Sequence, residues 1–279
     1  MPFLSVSLEG CAADHGAIGL IAPVGITTDR QTLLAFEAPA GWSTSLVTEQ
    51  ATGQLAAILR GPPDDRPRIS YRFDDTAGAL PAAVRQLPAN RYSRPSPSLC
   101  EEVAALTSGA TELTEALDRI VAATAAKFHY DHPDRRFTDG TDAVPALSCG
   151  LTPGSCIDIN TYLVASCNAV DIPAVYFAGY FFPEERGGIT NDMHCWVVTW
   201  AAGLQQEWDI AHHMKMGKKT IRPGYNPKPG RRYAMSFGRG HHYAFADTVA
   251  TLSHFSEPEW LMPDGSTKRA RLTARLDPH

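Results

Sequence analysis

Three residues that suit a nucleophilic site occur in order along the second half of the chain: Cys156, then His194 38 positions later, then Asp209 15 positions after that. The segment Gly154–Asp158 predicts a turn followed by a helix, and the apolar patterns around His194 and Asp209 predict two neighbouring strands. A thiol at a helix N-terminus, faced by an imidazole that a carboxylate orients, is the arrangement of an activated cysteine nucleophile. The trio therefore requires a helix packed against strands and predicts acyl-transfer chemistry of the cysteine type.

Length and charge exclude several other classes of protein. The chain has 279 residues, which is enough for two domains with a buried core. Its formal net charge of -5 predicts no basic surface for nucleic acid or for a membrane. No apolar run approaches the ~20 residues of a membrane span. The first residues, Met1–Val6, alternate like a strand and lack the basic start of a signal peptide, so we expect a cytoplasmic protein. The sequence leaves the oligomeric state open.

The cysteine and histidine patterns argue against a disulfide scaffold and against a metal site. Six cysteines stand at positions 11, 100, 149, 156, 167 and 195 without a CxxC pair, which favours reduced and mostly buried thiols. His212–His213 and His241–His242, with Cys149 and Cys195, supply metal-ligand residue types, but no ligand-pair spacing occurs. We therefore expect no metal or other cofactor, and we assign His212–His213 to a solvated loop or to the rim of a cleft.

The first part of the chain has the pattern of a small β-sandwich. Phe3–Leu8 and Arg68–Phe73 alternate apolar and polar residues, and Leu33–Phe36 is a short apolar run, with Gly, Pro and Asp clusters between them. A proline-rich link follows at about residues 87–98. We predict one domain over residues 1–90 and a second over residues 96–279, which carries the trio.

The second domain is predicted to mix helices and strands. Ser98 and Glu101 form a capping-box signature for one helix, and Thr111–Lys127 forms the next, with an apolar stripe at helical spacing. Residues 131–155 are predicted to be a loop, and residues 156–170 a helix. Residues 174–181 are predicted to be a strand, and residues 215–240 mostly loop, with a strand-like run at 233–237. The stripe consists of Leu113, Leu117, Ile120, Val121 and Ala125.

The predicted chemistry assigns one role to each member of the trio. A helix N-terminus favours the thiolate of Cys156, and the Cys156 backbone amide is one donor to the oxyanion of a tetrahedral intermediate. His194 takes the thiol proton and returns it to the leaving group, while Asp209 orients the ring. The second oxyanion donor stays open among three candidates, which are Tyr130, Ser148 and Ser155.

Four motifs around the trio resemble the core of the transglutaminase-like superfamily. The superfamily pattern runs glycine-x-cysteine, glycine-isoleucine-proline-alanine-arginine with glycine-tyrosine, histidine-alanine-tryptophan-valine, and tryptophan-x-aspartate. This chain departs from it with Asp171 in place of glycine and Val175 in place of arginine. The matching segments are Gly154–Asp158, Asp171–Ala174 with Gly179–Tyr180, His194–Val197 and Trp208–Asp209.

The resemblance implies an α+β fold of the papain-like cysteine-hydrolase type. In that arrangement a helix bearing the cysteine packs on an antiparallel sheet, and a small β-domain precedes it in bacterial members. Residues 96–279 are then a transglutaminase-like catalytic domain in which Cys156 is the nucleophile, His194 the base and Asp209 the orienting acid.

The resemblance covers several activities, so the reaction has more than one reading. We favour hydrolysis of peptide or amide bonds in a peptide or protein substrate. Transfer of the acyl group to an amine uses the same trio, and a non-catalytic binding protein with this fold is a third possibility. Trp196, Tyr180 and Trp208 are our candidates for substrate contacts.

Overall fold

The structure, a computed structural model, describes residues 1–148, 152–224 and 226–277. The described residues form a mixed fold of mostly antiparallel strands with few helices, so the predicted α+β class is confirmed. The α-helices are α1 (Ala12–His15), α2 (Pro97–Thr107), α3 (Leu113–Lys127), α4 (Cys156–Asn168) and α5 (Ile210–Lys215). The strands are β1 (Phe3–Leu8), β2 (Gly19–Pro23), β3 (Thr32–Glu37), β4 (Ser43–Thr48), β5 (Leu55–Arg60), β6 (Arg68–Asp74), β7 (Phe128–Tyr130), β8 (Thr152–Gly154), β9 (Ala174–Pro183), β10 (Ile189–Thr190), β11 (Met193–Ala201), β12 (Leu204–Trp208), β13 (Gly230–Phe237), β14 (His241–Phe245), β15 (Thr248–Leu252), β16 (Glu259–Leu261), β17 (Thr267–Arg269) and β18 (Leu272–Asp277).

The chain divides into two compact units. Unit 1 contains Met1–Pro81, Ala178–His194 and the segment from Gly230 onward, and unit 2 contains Ala82–Phe177 and Cys195–Pro229. The division passes through β9 and through β11, so these two strands each carry the chain from one unit into the other.

Unit 1 is built on two five-stranded sheets. Their strand orders are β10-β18-β1-β6-β3 and β17-β16-β2-β5-β4. Alternate residues of β1 and β6 point inward and join inward residues of β2 and β5 in one apolar core, as in a sandwich. Tyr71 and Trp260 are fully buried in that core, and the Tyr71 hydroxyl donates to the Pro23 carbonyl oxygen at 2.8 Å. The hairpin β14–β15 supplies aromatic residues to a second apolar cluster with β2 and β5.

The C-terminal strands complete the sheets of unit 1. Strand β18 pairs antiparallel with β1 over its full length, from Phe3 opposite Asp277 to Leu8 opposite Leu272, and β16 pairs with β2. These strands were not predicted, because they are short and lie far along the chain from their partners. The predicted boundary between two functional domains near residues 90–96 stays a prediction. In the structure the C-terminal strands pack in the same compact unit as the N-terminal strands.

Unit 2 is organised around α4, which is buried on all sides. Every residue from Cys156 to Cys167 is buried, which is the pattern of a central core helix. Helix α3 packs on α4, and its buried residues include Leu117, Ile120 and Val121. A polar contact ties the three long helices together, since Glu102 of α2 pairs with Lys127 of α3 at 2.8 Å and accepts from the Tyr162 hydroxyl of α4 at 3.2 Å.

Strands β11 and β12 form the hairpin that leads to Asp209. They pair antiparallel with Val197 opposite Trp208, within a four-stranded sheet of order β12-β11-β9-β13. The strand-like run 233–237, whose place the sequence did not reveal, lies in β13 beside β9. No helix among the described residues is long and apolar enough to cross a membrane.

Several predicted boundaries differ from the structure for local reasons. Helix α2 is capped by Ser96, whose hydroxyl accepts from the Leu99 amide at 3.2 Å, so the expected cap at Ser98 is wrong. Proline at the first position of α2 suits that earlier start. Part of the predicted loop 131–155 is strand β8, which pairs in parallel with β7 and directs the chain into α4. Leu113 begins α3 and is half exposed, so it does not belong to the buried stripe.

Gly179 provides a test of the packing of β9 in unit 1. A Cβ atom at this position would collide with the Tyr233 carbonyl oxygen of β13, which is backbone and cannot move away cheaply. Replacement Gly179→Ala is expected to lower the free energy of unfolding by about 2–3 kcal/mol, measured by urea titration. Gly109→Ala is the control, since nothing lies near its Cβ position and only its positive φ of 74° resists the change, at about 1–2 kcal/mol. Equal stability of Gly179→Ala and the wild type would contradict this packing.

Candidate active site

Cys156 is the first residue of α4, as predicted, and a buried carboxylate holds the turn before it. Asp158 Oδ2 accepts from the Ser155 backbone amide at 2.9 Å and from the Ser155 hydroxyl at 2.8 Å. This is the carboxylate half of a capping box, and it satisfies a donor that the helix start leaves without an intrahelical partner. Gly154 enters the turn against the Phe128 ring, where a Cβ would collide with ring atoms. The Cys156 side chain therefore starts from a fixed backbone.

Arg136 completes the contacts of that carboxylate. Its Nη1 lies 2.7 Å from Asp158 Oδ2 and 3.2 Å from Ser155 Oγ. Asp158 is 1% exposed and the Arg136 side chain is 30% exposed, so the ion pair reaches from the buried helix start toward solvent. A carboxylate this deeply buried needs a compensating charge and several donors, and this one has both.

Cys195 of β11 lies beside Cys156. Asn160, one turn along α4 from Cys156, donates through Nδ2 to Cys195 Sγ at 3.3 Å and to the Cys195 carbonyl oxygen at 2.9 Å. The Cys156 thiol lies close enough to act on the pKa of Cys195. Burial, reinforced by the Cys156 thiol, raises the pKa of Cys195 well above its usual range. Cys195 is therefore held as a neutral thiol against the start of α4.

His194 immediately precedes Cys195 in β11, in the strand position predicted for it. The side chain is 4% exposed, and its ring centroid lies 5.7 Å from that of Phe181 in the same unit. His194 is therefore next in sequence to Cys195, and the side chain of Cys195 lies beside the Cys156 thiol.

Asp209 caps α5 rather than ending a strand. Strand β12 stops at Trp208, and Asp209 Oδ1 accepts from the His212 backbone amide at 3.1 Å. Its other oxygen, Oδ2, accepts from Asn226 Nδ2 at 3.2 Å and lies 3.0 Å from His212 Nδ1. The carboxylate is 2% exposed, so these donors compensate its burial and fix its orientation. An aspartate held in this way is suited to orienting an imidazole.

The pair His212–His213 is buried in α5, so the expectation of a solvated loop is wrong, and a place at the rim of a cleft stays a prediction. A short helix forms here because Asp209 caps it, which turns both histidines inward. His213 Nδ1 donates to the Asp209 carbonyl oxygen at 2.8 Å and Nε2 accepts from the Arg222 amide at 3.3 Å, so both ring nitrogens have structural roles. His212 Nδ1 lies 3.0 Å from Asp209 Oδ2.

Some of these side chains are of metal-ligand type. Asp209 and His212 of unit 2 each offer one ligand atom, a carboxylate oxygen and an imidazole nitrogen. The contacts of Asp209 with a backbone amide and with Asn226 are those of a capping and orienting carboxylate, so we assign no metal to it. Of the other ligand types that the sequence offered, Cys149 lies outside the described residues, and Cys195 bonds to Asn160.

The three aromatic residues predicted to contact substrate are all packed in the interior. Trp208 is 1% exposed and donates through Nε1 to Thr199 Oγ1 at 2.9 Å. Tyr180 is fully buried in the core of unit 1, where burial raises its pKa well above the usual range. Trp196 stacks on Phe177 with a centroid distance of 6.3 Å. In this structure the three side chains offer little surface to a substrate, and their contact with substrate stays a prediction.

The candidates for the second oxyanion donor differ in their availability. The Ser155 hydroxyl already donates to Asp158, so it is removed from the set. The Tyr130 hydroxyl lies 3.1 Å from His132 Nε2, and Lys215 Nζ sits 4.4 Å from the centre of the Tyr130 ring. Ser148 is exposed. Neither remaining candidate is singled out by these contacts.

Four residues that shape the site were not predicted to do so from the sequence. Arg136 and Asn226 were not singled out, and Cys195 and His212 were considered as metal-ligand types, with His212 also placed in a loop or at a cleft rim. The spacing of Ser155 and Asp158 is a capping signal that the sequence contains. No sequence pattern indicates that Arg136, from a distant loop, pairs with Asp158. Asp209 with His212 three residues later is likewise a helix-start pattern, hidden by the assumption that the strand continued through Ile210.

Part of the chain matches a known family model. Residues 101–210 match the model described as the transglutaminase-like superfamily, which confirms the resemblance found in the sequence. No curated protein matches the chain. A crystal structure of a candidate cysteine protease from Cytophaga hutchinsonii is similar over 99% of this chain and 97% of its own, with a TM-score of 0.50 and 14% identity. At that identity the likeness shows a shared fold.

Two further structures are more distant. A candidate protease from Parabacteroides distasonis aligns with 79% of this chain and 48% of its own, at 12% identity and a TM-score of 0.33. The periplasmic domain of TgpA from Pseudomonas aeruginosa aligns with 78% of this chain and 90% of its own, at 15% identity and a TM-score of 0.38.

The contact between Cys156 and Cys195 predicts a specific oxidation product. Hydrogen peroxide is expected to oxidise Cys156 to a sulfenic acid with release of water. Attack by the Cys195 sulfur then releases a second water and leaves a disulfide. Peptide mapping without reductant is expected to find the Cys156 and Cys195 peptides joined, with a mass two hydrogen atoms lower than their sum. In Cys195→Ser, Cys156 should instead proceed to sulfinic acid. A linkage of Cys156 to Cys167 would contradict the observed placement.

Proposed function

We propose that this protein is a cysteine-dependent hydrolase of peptide or amide bonds, with Cys156 as nucleophile, His194 as base and Asp209 as the carboxylate that orients His194. The observation that carries the proposal is the Cys156 thiol at the capped start of α4, with the residue after His194 packed against it. The superfamily match over residues 101–210 and the shared fold with a candidate cysteine protease support the same class of chemistry.

The proposed reaction begins with transfer of the thiol proton from Cys156 to His194. The thiolate attacks the substrate carbonyl carbon, and the oxyanion that forms accepts from the Cys156 backbone amide at the N-terminus of α4. His194 then protonates the leaving amine as the carbon–nitrogen bond breaks, which leaves a thioester on Cys156. Water, deprotonated by His194, attacks the thioester and releases the acid and the free thiol.

Asp209 serves this cycle through its fixed carboxylate. The proposal assigns it to the imidazole nitrogen of His194 that does not exchange protons with the sulfur, where it selects the tautomer and stabilises the charged ring. The substrate in this proposal is a peptide or a protein, no cofactor takes part, and a cytoplasmic location stays a prediction.

The test is turnover of a library of fluorogenic peptide amides by purified variants. Cys156→Ala is expected to lower kcat by about a thousandfold or more, because no other group supplies the nucleophile. Cys195→Ala is the matched control, since it removes a neighbouring buried thiol without a role in the reaction, and it should keep most of the activity. Full activity of Cys156→Ala on a substrate that the wild type cleaves would contradict the proposal.

The same assay separates hydrolysis from acyl transfer. A fluorescent primary amine added with the peptide competes with water for the thioester. Release of the free acid with little amine incorporation is expected, and predominant incorporation would assign the protein to amine transfer instead. Slow turnover by His194→Ala, with Cys156 still available to alkylation, is expected if His194 moves the proton.

A further inference from the structure

The ion pair between Arg136 and Asp158 has no step in the proposed reaction, yet it lies at the start of the helix that carries the nucleophile. Asp158 is two residues beyond Cys156, and its Oδ2 collects three donors: the Ser155 amide, the Ser155 hydroxyl and Arg136 Nη1. The first two contacts explain the fold of the turn. The third compensates the buried carboxylate, and it also brings a positive charge from a separate loop to the first turn of the helix that carries the thiol.

The charges of this pair act on the thiol with opposite signs. A carboxylate near a thiol disfavours the thiolate, and a guanidinium favours it. Because Asp158 is 1% exposed, water screens it poorly, and its field on the helix start is large unless Arg136 balances it. The charge of the capping carboxylate thus disfavours ionisation of a thiol in the first turn, and the charge of the arginine offsets that effect.

We propose that Arg136 is a positioning residue for the reaction, which cancels the charge of the capping Asp158 so that Cys156 ionises at neutral pH. The inference deepens the proposed function and rests on Cys156 being its nucleophile. Asp158 fixes the geometry of the turn. Arg136 balances the charge of Asp158, so that Cys156, which directly follows the cap residue Ser155, can still form a thiolate.

Other titratable groups also lie on the elements around α4, and all of them stay in place in the variants described below. Any difference between those variants therefore reports on the pair itself. The groups are Glu102 of α2, Lys127 of α3, His194 and Cys195 of β11, and Asp209, His212 and His213 at α5.

The experiment measures the rate of iodoacetamide alkylation at Cys156 against pH, with the Cys156 peptide quantified by mass spectrometry. Arg136→Gln leaves the Asp158 charge unbalanced and is expected to raise the pH midpoint of alkylation by about one unit. Asp158→Asn keeps an oxygen that can accept from the Ser155 amide and leaves Arg136 unbalanced, so its midpoint is expected to fall. The double variant should return close to the wild-type midpoint, and Arg136→Lys should retain it.

Loss of structure alone does not produce shifts of opposite sign, so the pattern separates charge balance from simple support of the turn. Movement of both single variants in the same direction, or an unchanged midpoint in Arg136→Gln, would overturn the inference. If Asp158→Asn does not fold, the comparison of Arg136→Gln with Arg136→Lys decides, because the arginine side chain is partly exposed in a loop. Alkylation needs no substrate. Opposite shifts without peptide cleavage would therefore overturn only the proposed function, and cleavage with unshifted midpoints would overturn only this inference.

Discussion

The buried carboxylate of Asp158 is the contact on which the rest of the candidate site depends. It ties the Ser155 amide and hydroxyl into one turn and so decides where α4 begins. Cys156 occupies the first position of α4 for that reason, and the helix behind it is buried along its length. A side chain attached to so constrained a backbone has little freedom to move, which is the kind of preorganisation that nucleophilic catalysis uses.

A second capped helix start governs the acid of the site. Asp209 closes the first turn of α5 through the His212 amide, and its remaining oxygen meets Asn226 and the His212 ring. The carboxylate is therefore shared between a structural task and the orienting task that we propose for it. A carboxylate also has two roles at α4, where Asp158 both caps the helix and pairs with Arg136.

The sequence predicted the elements whose signals are local. The turn and helix at Cys156, the strand at His194 and the long helix α3 follow from capping residues and apolar periodicity within short windows. The alternation of Phe3–Leu8 likewise marked β1. The strand around Asp209 was misjudged because the apolar residues Trp208 and Ile210 continue the pattern across a helix cap.

What the sequence did not predict depends on contacts between distant segments. Strand β18 belongs beside β1 although more than 260 residues separate them, and no local pattern encodes that pairing. The hydrogen bonds from Arg136 to Asp158 and from Asn226 to Asp209 form only because long loops bring these residues together. The aromatic residues assigned to substrate are buried by the packing of distant segments, and their contact with substrate stays a prediction.

The central claim, that the thiol at the start of α4 is the group that attacks a carbonyl, is tested most directly by trapping the acyl-enzyme. The wild-type protein is incubated with an activated acyl ester, quenched in acid and digested, and the modified peptide is identified by mass spectrometry. The account predicts an acyl group on Cys156 that hydroxylamine removes, with Cys195 unmodified. Acylation at another residue, or none at Cys156 while the ester is being consumed, would contradict it.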